Sequence, residues 1–372
     1  MNFAYFGRLA VEKGFDQIIS SWLELQKKSD LKAGLLVFGN GLLVEKFLNS
    51  GLGIVDWSTK SDADLLNASV EAGEIYYAGQ RNFKEVIKPM LQKHIDYTLM
   101  PSRYIETFGL SALESLGAGV PVIGFRHGGL KNFVSEDLEI KSSLLEKIEE
   151  LFENSHKPDV LPIANLDLFS SASWLKKFKQ LIPAEAKRIL LLNDFVGQIG
   201  GAEIFVDRVV NLLKTNGYDV ELHSGCEVSE KPSWQSMLKA VFNLSAYFKL
   251  RKKLKKFKPD VVWCHSLMRG FGPLPLAALD GSTFNILTHH DAGLLIPYPS
   301  LLTSESDLLN GQSNLSFTKK IGGFLKSVLL VRRLKKRFAK FDLQLVPSEF
   351  LLEPVERFLP NVVAEVLPHF VD

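Results

Sequence analysis

Cysteine is nearly absent from this sequence, with two in 372 residues, Cys226 and Cys264. So few exclude a disulfide framework and a cysteine-rich metal site, and they suit a reducing compartment. No run of about 18 uncharged apolar residues occurs, so there is no candidate membrane-spanning helix. The opening Met1-Asn2-Phe3-Ala4-Tyr5 has neither a basic nor an apolar leader, which reads against a signal peptide. Low-complexity tracts and short-period repeats are missing as well. What is present is ordinary globular composition, 46% hydrophobic and 23% charged. The length suits two domains of roughly 100–200 residues each, and the expected setting is cytoplasmic.

The net charge of +2 hides an asymmetry between the halves. Residues 1–186 carry 20 Lys and Arg against 24 Asp and Glu, whereas residues 187–372 carry 24 against 18. The basic excess gathers at Arg251-Lys252-Lys253, Lys255-Lys256 and Lys258, and again from Lys319 to Lys340. These faces suggest an anionic partner for the second half, with contact to an anionic membrane as one form of it. Aromatics are not interleaved along the basic runs as a stacking groove requires, which argues against nucleic acid.

Short apolar runs alternate with helical spacing throughout. Phe3–Gly7, Leu35–Gly39, Ile75–Gly79, Tyr97–Pro101 and Val120–Phe125 read as strands buried on both faces. Ile189–Asn193, Val220–His223, Val261–His265, Phe284–His289, Leu343–Pro347 and Val366–Pro368 repeat the pattern. The fold class is therefore α/β, two doubly wound Rossmann-like domains. A boundary at 183–187 places the first domain at 1–182 and the second at 188–372, with the ligand expected in a cleft between them.

The densest chemical signal is Pro101-Ser102-Arg103-Tyr104-Ile105-Glu106-Thr107-Phe108-Gly109-Leu110-Ser111-Ala112-Leu113-Glu114, a strand end running into a helix start. Free amides near Phe108, Gly109 and Leu110 make an anion site. Glu106 and Glu114 offer carboxylates suited to diols, although for an isolated pair of glutamates a capping residue and a solvated helix face are the commoner explanation. Gly7-Arg8 with Lys13-Gly14 follows the first strand and supplies two cations for a diphosphate. Gln80 ends the third strand, where a nucleobase can rest. In the second half Gly200-Gly201 opens a helix after the first strand without the full dinucleotide spacing. His265 ends a strand, and His289-His290-Asp291 ends the next. Asp62-Ala63-Asp64 reads as a helix start behind Ser61 rather than a metal site.

Together these segments resemble the retaining GT-B glycosyltransferases of family 4, the "group 1" transferases. Gly7-Arg8-Leu9 with Lys13-Gly14 is similar to the family's donor loop. Glu106 to Glu114 is similar to its E-x7-E signature, and Gly117-Ala118-Gly119-Val120-Pro121-Val122-Ile123 with Gly128-Gly129 to its continuation. These belong to the family's C-terminal, donor-binding domain, yet here they come first. Residues 188–372 resemble the N-terminal, acceptor-side domain, so the order looks circularly permuted. The resemblance implies that the helix at Trp174–Leu181 crosses back to that domain, and that Met1 and Asp372 lie close together.

It further implies transfer from a UDP-, GDP- or ADP-sugar to a glycan or lipid-linked hydroxyl, without cofactor or metal. Arg8 and Lys13 would neutralise the diphosphate, Glu106 would meet the donor sugar and Glu114 the ribose. Gly200 and Gly201 would approach the phosphates. His290 would stand near the transferring sugar, with His265 and Asp291 on the acceptor side. Alternatives from the same fold are a nucleotide-sugar epimerase, a phosphorylase, and a permuted protein that binds nucleotide without turnover.

Overall fold

In a computed structural model, residues 1–28, 30–154, 166–194, 201–224, 243–267, 271–279, 281–295, 331–360 and 362–371 are described. They form two compact units, Met1–Leu166 with Val371–Asp372, and Asp167–Phe370.

The first unit holds strands β1 (Asn2–Phe6), β2 (Gly34–Phe38), β3 (Ile54–Asp56), β4 (Ile75–Gly79), β5 (Tyr97–Met100) and β6 (Val122–Gly124). They pair in parallel in the order β3-β4-β2-β1-β5-β6. β2, β4 and β5 are buried at every position, which is why their sequences run apolar without alternation. Helix α1 (Phe15–Leu25) packs Trp22 edge-on against Phe3, with ring centroids 5.7 Å apart. The edge strand β3, half-exposed and only three residues long, falls in a stretch whose sequence gives no strand signal. Between β2 and β4 lie α2 (Val44–Leu48) and α3 (Asp62–Asn67), and Ser61 caps α3 through the Asp64 amide. A wider π turn over Phe83–Ile87 leads into α4 (Lys88–His94), where Pro89 has no N–H for the carbonyl four residues back. Helices α5 (Leu110–Gly117) and α6 (Leu144–Asn154) complete the unit.

The second unit begins earlier than the sequence reading places it. Helix α7 (Ser171–Leu181), assigned above to the domain at 1–182, packs with the second unit. Trp174 and Phe178 stack on each other at 5.2 Å, and Phe178 stacks on Trp263 at 4.8 Å. Phe370 meets Trp174 at 5.1 Å. An aromatic helix face declares that it needs a cover but not which sheet supplies it, so the boundary at 183–187 shifts to Leu166/Asp167.

This unit's strands are β7 (Arg188–Asn193), β8 (Asp219–Ser224), β9 (Val261–Cys264), β10 (Phe284–Thr288), β11 (Leu343–Val346) and β12 (Ala364–Val366). All pair in parallel in the order β12-β11-β10-β9-β7-β8. The helices are α8 (Gly201–Thr215), α9 (Leu244–Phe257), α10 (Arg332–Phe338) and α11 (Glu349–Phe358). Both units are Rossmann-like, with β1 and β7 as the strands from which the chain winds in both directions. No described helix is long and apolar enough to cross a membrane.

Candidate functional site

In a doubly wound sheet, a crevice opens beyond the carboxyl ends of the two strands where the winding reverses. In the first unit these are β1 and β5, and the loops following them meet. Lys13, on the loop after β1, donates from Nζ to Glu106 Oε1 at 2.6 Å and to the Tyr104 hydroxyl at 2.8 Å. Ser102 Oγ donates to the same Glu106 oxygen at 2.8 Å. The ammonium also lies 4.6 Å from the centre of the Tyr104 ring.

The side chains of this pair are only 22% and 16% exposed, so water screens it weakly. Burial alone works against both charges. The Glu106 carboxylate overcomes it for Lys13, whose pKa stays raised, and Lys13, Ser102 and Tyr104 overcome it for Glu106, whose pKa is lowered. Burial and the neighbouring carboxylate push the Tyr104 hydroxyl up to about 12. The Lys13–Glu106 pairing is a feature that sequence reasoning missed, since it had assigned the two residues to different parts of the donor. An ammonium has three N–H donors, so one beyond these two bonds remains for a ligand.

Glycines set how closely the loops approach. Gly14 is left-handed (φ 71°), and a Cβ there would sit 1.8 Å from the Pro101 carbonyl oxygen, which keeps the Lys13 turn against the end of β5. Gly39 (φ 131°) similarly lies against the Gly7 carbonyl, at 1.9 Å from a built Cβ. The Gly7 amide donates to the Phe38 carbonyl at 3.2 Å, so that N–H is used within the fold. The Gly129 amide donates to the Glu106 carbonyl at 2.6 Å, tying the glycine pair 128–129 to the Glu106 loop.

Gly109 is the N-cap of α5, left-handed and without a capping side chain, so the helix start at Leu110 presents its amides and positive dipole end. Phe108 is buried against Phe133, with centroids 5.3 Å apart. Glu114 is itself buried at 7% exposure, unlike the accessible carboxylate expected from the sequence. Arg8 is exposed and pairs with Glu12 at 3.1 Å. Gln80 is exposed at the end of β4. Asp62 pairs with Arg81 at 3.5 Å, within the capped start of α3.

The second unit gathers histidines at its strand ends. His265 Nδ1 and His290 Nε2 lie 2.9 Å apart, one donating to the other, and the two rings stack at 5.1 Å. His369, after β12, comes within 5.4 Å of His290 and stacks on Phe205 of α8 at 4.0 Å. Sequence reasoning did not single out His369, which lies far along the chain in a segment otherwise read as the domain's end. His265 is fully buried, unlike the accessible side chain expected of an acceptor-side group, and its ring contact is with His290. Burial, then His290 and His369, hold the His265 pKa well below its ordinary value. Burial and then His289 lower that of His290. The sequence paired Asp291 with His290, yet its carboxylate caps the following turn, accepting from the Gly293 amide at 2.6 Å. Gly201 starts α8 with open space where a Cβ would stand, while Gly200 lies outside the described residues. Among the described residues, no three His, Cys, Asp or Glu side chains are grouped to hold a metal ion.

Comparison with known proteins divides the chain in the same way. Residues 2–161 match the family "Glycosyl transferases group 1" and residues 199–372 match "Glycosyltransferase Family 4". Each match covers less than half of the chain, and together they place a glycosyltransferase family model on each of the two units. With two Rossmann-like sheets, one in each unit, its fold is of the GT-B type.

No protein of curated function matches by sequence. Among solved structures, HepE of Anabaena, in complex with UDP and glucose, is 19% identical with a TM-score of 0.32, over 44% of this chain and 41% of that one. The catalytic domain of the Helicobacter pylori cholesterol-alpha-glucosyltransferase is 17% identical with a TM-score of 0.31, over 42% and 87%. The lipopolysaccharide outer core galactosyltransferase WaaB is 15% identical with a TM-score of 0.34, over 48% of each chain. This chain thus spans less than half the length of HepE and WaaB.

Proposed function

We propose that this protein is a group 1 glycosyltransferase that moves a sugar from a nucleotide-diphosphate sugar to a hydroxyl of a glycan or lipid-linked acceptor, retaining the anomeric configuration and using no metal. The observation that carries this reading is the Lys13–Glu106 pair at the β1/β5 crevice, beside the uncapped start of α5. Lys13 and Arg8 would take the diphosphate, Lys13 through its remaining N–H and Arg8 by leaving Glu12. The amides at Leu110 and Ser111 would add donors to the phosphate or sugar. As the bond from the anomeric carbon to phosphate breaks, charge grows on the leaving oxygen, where fixed cations and helix-start amides act most strongly. The acceptor oxygen bonds to that carbon on the same face, and its proton passes to the leaving phosphate. Glu106 would hold the donor sugar, and in the second unit His290, which meets His265, would serve the acceptor-side chemistry.

The same reading makes the unit order a circular permutation of the family's. The packing of α7 on the second unit supports it, because the family's last helix returns to its N-terminal domain. The expected closeness of Met1 and Asp372 falls on a residue outside the description.

Thermal-shift titration with UDP, GDP, ADP and their sugars, in EDTA and then magnesium, tests the reading. A ligand at about 100 times its Kd adds roughly 2.7 kcal/mol of stability. One base should shift the midpoint equally in both buffers, and Lys13→Met should abolish the shift. Absence of any shift, or a shift only with magnesium, would refute the metal-free donor site. Product formed from donor alone would point to an epimerase instead.

A further inference from the structure

The two basic runs of the second half differ in kind. On α10, Leu334 and Phe338 are buried, and Lys335 covers the Phe358 ring at 4.2 Å. Its exposed face is charge without exposed large apolar residues, among those described. On α9 both occur together. Ala246, Leu250 and Phe257 face inward, while Leu244 and Phe248 stand 59% and 60% exposed. At 100° per residue, positions 244, 248, 251, 252 and 255 fall on one stripe. That stripe reads Leu244, Phe248, Arg251, Lys252, Lys255, all exposed and with no acidic residue anywhere on the helix. Lys253, on the inner flank, is occupied by Glu221.

A solvated helix end accounts for the lysines, which suit the negative dipole end of α9. It does not account for a leucine and a phenylalanine one turn apart and bare, at the other end of the same stripe. Nucleic acid or an acidic protein would satisfy the cations and leave Leu244 and Phe248 against a polar surface. Anionic lipid satisfies both, with phosphates for the cations and the acyl boundary for the apolar pair.

We propose that the outer stripe of α9 docks this protein on an anionic lipid surface, with Leu244 and Phe248 entering the headgroup boundary and Arg251, Lys252 and Lys255 lying on phosphates. This deepens the reading of a lipid-linked acceptor by naming the surface that would bring the protein to it.

The test is co-sedimentation of the full chain with phosphatidylcholine vesicles and with vesicles mixed with phosphatidylglycerol. Binding should require phosphatidylglycerol and disappear at high salt. Arg251→Glu/Lys252→Glu/Lys255→Glu should lower partitioning on the order of 100-fold, at roughly 1 kcal/mol per cation removed from the surface. Leu244→Ser/Phe248→Ser should lower it about tenfold with the charges intact. Equal binding to neutral vesicles, no binding, or binding unchanged by the apolar double substitution would each overturn the proposal. So would retention on heparin without vesicle binding. The nucleotide thermal shift, run on the same variants, separates the two readings: a preserved shift with no vesicle effect sinks the lipid surface and leaves the donor site standing.

Discussion

The two units share a winding plan yet furnish their strand ends with opposite electrostatics. At the β1/β5 crevice a full charge pair, Lys13 and Glu106, is kept ionised by its own partners despite partial burial. Beyond β9, β10 and β12, His265, His290 and His369 lie in an aromatic shell that holds them neutral. One end is poised for an anion. The other is poised against protonation, because burial, and then the neighbouring histidines, disfavour a charge on its rings. The same topology therefore specifies where a site forms and leaves its chemistry to a few side chains.

The largest effect should come from removing what anchors the neutral end. Trp174→Ala leaves a hole between Phe178, Trp263, Phe205 and Phe370 and should cost about 3–5 kcal/mol. Hydrogen exchange resolved by peptide should report the loss in residues 167–370 with residues 1–154 unchanged. Loosening of both units together would contradict their separation.

Breaking the charged end comes next. Lys13→Met leaves Glu106 without its cation and should cost on the order of 3 kcal/mol in the denaturant midpoint. Adding Glu106→Gln should recover much of this, because the amide keeps the Ser102 and Tyr104 neighbours without an unpaired charge. Additive losses would mean that the pair is not coupled.

Acid should separate the units by the pH range in which each loses stability, since lowered histidines number five among the described residues of the second unit (His223, His265, His289, His290 and His369) against one, His94, in the first. The buried histidines have lowered pKa values, His289 down to about 4 from 6.5. Their stabilisation is complete above about pH 6.5 and is lost as pH falls towards those lowered values. Glu106 is likewise lowered, but from 4.5, so its contribution persists until pH falls below that. The second unit should therefore loosen first between about pH 6.5 and 4.5, and exchange at about pH 5.5 against pH 7.5 would measure it. Earlier loosening of the first unit would reverse the comparison.

The smallest expected change is at Gly201. A Cβ there meets nothing, so Gly201→Ala should stay within about 0.5 kcal/mol of the parent in thermal unfolding. Gly39→Ala, which must clear the Gly7 carbonyl, should be far more damaging.

Most of the strands were legible because strands covered on both faces read as continuous apolar runs, and only the short edge β3 escaped. The loops that carry the site were legible through their motifs. Their pairing was not, since Lys13 and Glu106 are 93 residues apart and sequence gives each a role without giving its partner. Burial was equally hidden. Glu114 and His265 look like reachable polar groups in the sequence, and only the packing of α5 and β9 removes them from solvent. The place of α7 was invisible to periodicity, which defines a helix's apolar face but not its destination.

That destination has a consequence for the newborn chain. During synthesis the strands of the first unit emerge before α7, and α7 precedes the sheet it covers. Trp263 follows Phe178 by roughly 85 residues, several seconds or more at about 5–20 residues per second. Phe370, which closes over Trp174, follows it by 196 residues. Through that interval a tryptophan and a phenylalanine that the folded unit buries would wait for their cover.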